Sequence, residues 1–248
     1  MAYFDFLSIV FAPLLKLPAF LAIIILSLMI SLIIIIITKY TTDQTLMKKM
    51  KDEIKEYQKQ AKELKNNPSK AMEIQKKSME VNMKYMTHSL KPTIITFIPI
   101  ILIFGWMSST FAYESIKPQQ EFSVTAFFQK NTYGEVKLIA PEEIKLIDSQ
   151  NKKIQDDKAT WNLKGTEGEY ILEFVYGEEK HPKSVLITNS EKYIEPSKKY
   201  NGAVKLIQID YIPKKILNLF GWKLGWLGTY IIFSIIFTMA LRKLLKVY

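Results

Sequence analysis

Hydrophobic and polar positions along this chain fall into blocks of different period. Three stretches carry no charged side chain: Leu17–Thr38 (22 residues), Pro92–Tyr113 (22) and Leu224–Leu241 (18). Each is long enough to cross a bilayer core, which takes about 17–25 apolar residues. Between the first two, Leu46, Met50, Ile54, Tyr57, Ala61 and Leu64 recur at spacings of 4, 4, 3, 4 and 3, the single apolar stripe of a helix. Asn66-Asn67-Pro68-Ser69 interrupts the stripe, Ser69 is placed to cap a new start, and Ala71, Ile74, Ser78, Val81 and Tyr85 resume it. Two antiparallel helices of about 20 residues are predicted, packed as a hairpin or coiled coil about 30 Å long.

Beyond the second stretch the period drops from 3.6 to 2. Runs rich in β-branched and aromatic residues are predicted as strands: Phe122–Phe128, Glu135–Ile139, Ile144–Ile147, Trp161–Leu163, Tyr170–Tyr176, Ser184–Thr188 and Ala203–Ile212. Turn-forming residues punctuate them, among them Asn131–Gly134, Gly165–Gly168 and Asn201-Gly202, as in a small β-sandwich. Trp161 and Tyr170 read as core or corner residues of that sandwich. The fold class expected is therefore membrane α-helical, with three transmembrane helices, a cytoplasmic antiparallel helical hairpin and a small extracytoplasmic all-β, sandwich-like domain.

Composition changes this picture little, and charge orients it. The 248 residues are 48% apolar, and a mean hydropathy of +0.04 averages over unlike parts. A purely soluble protein is excluded by the three uncharged stretches. With no cysteine, a disulfide framework, a thiolate nucleophile and a Cys-ligated zinc site are all excluded. Of the net charge of +10, residues 39–91 hold +6, from 13 Lys against 7 acids, while residues 114–215 balance 16 Lys against 16 acids. Short basic loops stay on the cytoplasmic side, so 39–91 and 242–248 are expected inside, with the N-terminus and 114–215 outside. Segment by segment, 1–16 is an interfacial N-terminal stretch and 17–38 the first span, retained rather than cleaved. Residues 39–91 are the hairpin, 92–113 the second span and 114–215 the external β domain. Residues 216–241 are the third span with an outer interfacial start, and 242–248 a basic tail. In 1–16, Tyr3, Phe4, Phe6, Ile9, Val10 and Phe11 alternate with Asp5, Ser8 and Lys16, which suits either a helix in the membrane surface, turned by Pro13 and Pro18, or a frayed end.

No glycine-rich nucleotide motif, no nucleophile constellation and no metal-ligand spacing occurs, His88 and His181 included, so no catalytic residue, metal or cofactor is assigned and the protein is not expected to be an enzyme. The remaining chemistry lies in the spans. Ser27, Ser31 and Thr38 share one face of the first span and end at Lys39; Thr93 and Thr96 begin the second; Ser234 and Thr238 end the third. These hydroxyls are either hydrogen-bonding glue between helices or the walls of a wet cleft open to the cytoplasm, with Lys39 as its cation. Lys39 equally suits snorkelling to the headgroups. Trp106, Phe111, Tyr113, Trp222 and Trp226 suit an aromatic belt, and Gly221, Gly225 and Gly228 suit close helix approach. Met47, Met50, Met72, Met79, Met83 and Met86 crowd the hairpin beside its lysines. Flexible thioethers fit a surface that accepts many apolar sequences, and fit the filling of a coiled-coil core just as well.

The order of these parts, with Thr38-Lys39-Tyr40 through Asp43, Met47-Lys48-Lys49-Met50, Lys91-Pro92-Thr93-Ile94-Ile95-Thr96-Phe97-Ile98-Pro99-Ile100 and Phe104-Gly105-Trp106, resembles the archaeal YidC-like membrane proteins of the Oxa/YidC/Alb insertase superfamily. The resemblance covers about 1–113 and 216–248 and leaves the β segment without a role. It implies a multi-pass protein of the cell membrane that receives nascent hydrophobic segments in a cytoplasm-facing polar groove and releases them into the bilayer. By the same resemblance Lys39 stands near the groove cation, Met72, Met79, Met83 and Met86 capture the client, and Arg242, Lys243 and Lys246 form a short basic tail toward the ribosome. The implied partners are nascent membrane proteins, the ribosome and the lipid bilayer, with a second membrane subunit left open. The competing expectation is a membrane-anchored sensor or tether, with an external binding domain and a cytoplasmic coiled coil.

Overall fold

The computed structural model describes residues 2–64 and 67–247 and divides into two compact units, 1–106 with 216–248, and 107–215. Lys65, Asn66 of the predicted helix break, and Met1 and Tyr248 at the ends lie outside the described residues, as do the side chains of Tyr3, Phe4 and Asp5.

The first unit is helical. α1 (Ala2–Val10) is followed by a 3-10 turn at Leu14–Lys16 and by α2 (Ala19–Thr41), whose N-cap is Pro18. α2 is an almost unbroken run of Leu and Ile, residues whose exposure is unfavourable in water and favourable in lipid, and a helix satisfies every backbone group without solvent. α3 (Gln44–Glu63) starts where the Asp43 carboxylate accepts the N–H groups of Thr45 and Leu46, at 2.9 and 3.0 Å. α4 (Pro68–Phe111) runs 44 residues, about 66 Å, and carries the charged arm and the second apolar stretch as one helix with Pro92 and Pro99 inside it. α5 (Trp226–Leu245) closes the chain. α2, α4 and α5 are each long and apolar enough to cross a membrane.

α2 and α5 pack together, with Phe20 edge-on to Phe233 at 5.8 Å. Phe104 of α4 meets Trp226 and Tyr230 of α5 edge-on, at 5.9 and 4.8 Å. Trp106 is buried, its ring 4.9 Å from Phe11 and its indole N–H donating to Ser8 Oγ at 3.0 Å. Before α5 the chain forms a small hairpin, β10 (Leu217–Leu219) with β11 (Trp222–Leu224), in the segment read from the sequence as the start of a span. Gly221 is a turn residue of that hairpin with φ +95°, Gly225 is the N-cap of α5, and a Cβ on Gly228 would first meet Leu224 at 3.3 Å.

The second unit is a pair of antiparallel sheets. One runs β3 (Ile144–Leu146), β5 (Lys158–Gly165), β1 (Phe122–Phe128), β9 (Val204–Ile209), β8 (Ser197–Lys199); the other β4 (Asn151–Lys153), β2 (Glu135–Ile139), β6 (Gly168–Tyr176), β7 (Glu179–Ile187). Alternate residues of both sheets meet in one core, Val124, Ala126, Leu163 and Ile207 from the first and Val136, Leu138, Leu172 and Val185 from the second. Trp161 is fully buried there, 5.3 Å from Phe174 and edge-on to it, and gives its indole N–H to the Gln150 carbonyl. Tyr170 is only partly buried and bonds Thr166 through its hydroxyl at 2.9 Å.

Candidate functional site

Four elements of the helical unit converge on a polar cleft of about 300 Å³. The end of α2 brings Ile34, Thr38 and the following Thr42; the start of α3 brings Met47; the middle of α4 brings Tyr85, Ser89, Pro92, Thr93 and Thr96; the last turns of α5 bring Arg242. Tyr85, Ser89, Thr93 and Thr96 follow one another at spacings of 4, 4 and 3, so one face of a continuous α4 supplies a whole wall. The hydroxyls are anchored locally. Thr38 Oγ1 donates to the Ile34 carbonyl at 2.8 Å, Thr93 Oγ1 to Ser89 at 3.0 Å, and Thr96 Oγ1 to Pro92 at 3.0 Å. Their protons are therefore spent on the backbone, and the oxygens keep lone pairs for other donors. Pro92, having no N–H, offers no helical donor to the carbonyl four residues before it, which adds acceptor character to this wall.

The eight sequence-predicted groove residues do not form one site. Thr38, Thr93 and Thr96 line the cleft. Ser31, Ser234 and Thr238 meet instead at the α2–α5 contact, where Ser31 Oγ donates to the Ser234 carbonyl at 3.5 Å and Thr238 Oγ1 to Ser31 Oγ at 3.4 Å. Ser27, fully buried, returns its hydroxyl to Ile23 of its own helix at 2.7 Å. Lys39 is exposed and is not among the lining residues; the cation that lines the cleft is Arg242. Arg242 and Lys243 belong to the last turn of α5, and Lys246 is its left-handed C-cap, so the helix continues past Leu241, where the uncharged stretch ends. Ser89 and Thr42 carry no mark in the sequence and Tyr85 reads there only as a stripe position of the hairpin, because all three stand among charged residues rather than within an uncharged stretch.

The methionines of α3 and the first half of α4 differ in the same manner. Met47 and Met50, on α3, are 2% and 6% exposed and fill space beside the cleft and within the helical unit. Met72, Met79, Met83 and Met86, on α4, are 70%, 62%, 61% and 51% exposed. The first three of these line an open hollow with Gln75, Lys76 and Glu80. Beside them Lys77 and Glu73 pair at 3.0 Å, which raises the ammonium and lowers the carboxyl from their ordinary values.

Burial pushes the phenols of Tyr193, Tyr200 and Tyr211 up to about 12, away from any proton transfer near neutrality. Among the described residues no group of three or more His, Asp and Glu is placed to hold a metal.

Set against known proteins, residues 8–139 match the family described as "Integral membrane protein EMC3/TMCO1-like". The match takes in α2, α3, α4 and the first strands of the β unit, and with them most of the cleft walls. No curated protein and no solved structure matches the chain.

Proposed function

Because the chain belongs to the EMC3/TMCO1-like family of integral membrane proteins, an insertase-related family within the Oxa1/YidC/Alb3 superfamily, we propose that it is itself a membrane protein insertase that admits the polar flank of a client helix into the cleft walled by Thr38, Thr93, Thr96 and Arg242. The observation that carries the reading is the cleft itself, a polar recess beside helices otherwise built for lipid. Transfer of a client needs no covalent chemistry. A charged side chain at the bilayer centre costs about 2.5–3.5 kcal/mol and each Leu or Ile returns about 0.3–0.6, so an apolar helix with a short polar flank inserts downhill once the barrier for that flank is lowered.

Two features lower that barrier. Thr96 lies five residues beyond Lys91, so the polar wall that α4 supplies reaches about 7–8 Å below the charged boundary. The uncharged part of α5, Trp226–Leu241, is 16 residues or about 24 Å, shorter than a bilayer core of about 30 Å, and draws the lipid thinner around it. Together they shorten the fully apolar path by about a third to a half. Arg242 favours flanks bearing a carboxylate, and the exposed methionines of α4 suit the first grip on the apolar part of the client.

The topology that fits is hairpin and C-terminus inside and β unit outside, in the cell membrane, with nascent chains and the ribosome as partners. The test is site-specific photo-crosslinking to stalled ribosomes that carry a transmembrane nascent chain, with the crosslinker at Thr93, at Met79 and at Lys145 of the β unit. Crosslinks at Thr93 and Met79 and none at Lys145 are expected. Silence at both positions in a folded protein with ribosomes present removes the insertase reading.

A further inference from the structure

The hairpin that precedes α5 has a composition that water does not favour. Its register pairs Leu217 with Leu224, Asn218 with Lys223 and Leu219 with Trp222. Alternation therefore places Leu217, Leu219, Trp222 and Leu224 on one face and Asn218 and Lys223 on the other. The two loop residues, Phe220 and Gly221, both have positive φ, +50° and +95°, as a type I′ turn requires. Gly221 suits that conformation; a bulky aromatic does not, and Asn or Gly is the ordinary choice at the first position. Asn218 Oδ1 accepts the Gly221 N–H at 3.0 Å and helps hold the turn. Phe220 is 102% exposed, Trp222 75% and Leu219 39%. An isolated two-stranded hairpin is marginally stable in water even with a favourable turn. This one combines an unfavourable turn residue with an uncovered apolar face, so its stability has to come from its surroundings.

Those surroundings follow from continuity with the span. Leu224 is separated from the first residue of α5 by Gly225 alone. Strands of three residues reach about 10 Å, and the headgroup region on each side of the core is about 5–8 Å deep, so even an upright hairpin ends within about 5 Å of the membrane surface and a tilted one lies inside it. Trp and Phe suit the boundary between headgroups and acyl chains, and a lysine on the opposite face suits lipid phosphates. We propose that Leu217–Leu224 is a lipid-embedded β-wedge, with Phe220, Trp222 and Leu219 in the acyl–headgroup boundary and Lys223 at the level of the phosphates. It anchors the non-cytoplasmic end of α5 and fixes how far that short helix can shift along the bilayer normal. The proposal rests on α5 spanning the membrane and is independent of the insertase reading.

The natural absence of cysteine makes the test direct. Phe220→Cys in the full chain is labelled with a nitroxide, reconstituted into phosphatidylcholine–phosphatidylglycerol vesicles, and its collision rates with oxygen and with a water-soluble nickel chelate are measured. The same label at Lys145, on the exposed part of the β unit, is the aqueous reference, and at Ile235, on the exposed face of α5, the lipid reference. The expected result is nickel collision several-fold below that at position 145, with oxygen collision approaching that at position 235. Nickel collision equal to that at position 145 overturns the proposal, and so does an immobilised label shielded from both reagents, which means protein contact. Where F220C fails to fold, the label at Leu219 gives the same discrimination. With the label at Leu219, adding Phe220→Asn, which relieves the turn but removes the aromatic ring, is expected to raise nickel collision; an unchanged value overturns the wedge.

Discussion

Arg242 stands four residues beyond Thr238, close enough to the α2–α5 contact to be held by it and far enough along to face the cleft. A guanidinium there pairs with carboxylates through two parallel bonds. On the proposed function, Arg242→Ala is expected to reduce insertion of clients with an acidic flank about fivefold, the equivalent of about 1 kcal/mol for a partly solvated pair. Clients with neutral flanks should change little; insertion assays on paired clients read the difference. Ser31→Ala is the contrasting substitution, since its bonds of 3.4–3.5 Å are long and interhelical bonds of this kind average about 0.6 kcal/mol, so insertion of both clients should stay near that of the native protein. In the β unit, Glu167 accepts the Asn189 backbone N–H, the Thr188 hydroxyl and the Asn189 amide, and those bonds, the backbone one foremost, hold its carboxyl below the usual range. A carboxyl lowered on folding contributes stability that is fully present above its unfolded pKa of about 4.3 and is lost as pH falls through the folded value. Glu167→Gln should therefore lower the melting temperature of the β unit at pH 7 and lose that effect in acid, as followed by near-ultraviolet circular dichroism of the aromatic core.

At the scale of elements, the parts most legible in the sequence were those with long uniform pattern. Phe122–Phe128 and Glu135–Ile139 are strands over the residues that the alternation marks, because burial of one face forces that alternation. β4 and β8, Asn-Lys-Lys and Ser-Lys-Lys, carried no such mark: they are short edge strands held by backbone pairing to β2 and β9, and their lysines suit a sheet edge. The β10–β11 hairpin was hidden for the opposite reason, since its apolar residues read as the approach to a span and Phe-Gly is not a usual turn pair. The cleft was half legible. Thr38, Thr93 and Thr96 showed as hydroxyls in uncharged stretches, whereas Tyr85 and Ser89 become their neighbours only because α4 does not end at Lys91. Arg242 reads as tail until α5 is seen to run on to Leu245. The joint between α2 and α3 offers a test at this scale. Asp43 caps α3 one turn before Met47, and Asp43→Ala should cost about 1 kcal/mol of helix stability. Faster hydrogen exchange confined to the first turn of α3 is the expected reading, with insertion reduced to the extent that Met47 no longer closes its side of the cleft.

The whole molecule is organised by charge as much as by hydropathy. Residues 39–91 carry +6 and residues 114–215 are neutral, yet both connect spans of similar length. Lysines near a span resist translocation, whereas a folded domain crosses regardless of its internal charge balance. The 16 Lys and 16 acids of the β segment are spread through strands and turns, some of them paired, as Lys152 with Asp148 at 2.9 Å and Lys214 with Glu191 at 2.6 Å, so they give that segment no net preference for the inside. On the proposed topology, orientation then follows from the arm. The cleft lies at the charged-arm ends of α2 and α5, so orientation also decides whether it can receive a chain emerging from a ribosome. Single cysteines at Lys70 and Lys145, each the sole thiol in the chain, should report opposite sides. In intact cells a membrane-impermeant maleimide is expected to modify position 145 and spare position 70 until the membrane is opened. The reverse pattern would turn the cleft outward, away from newly made chains, and remove the physical basis for co-translational insertion together with the role given to the exposed methionines.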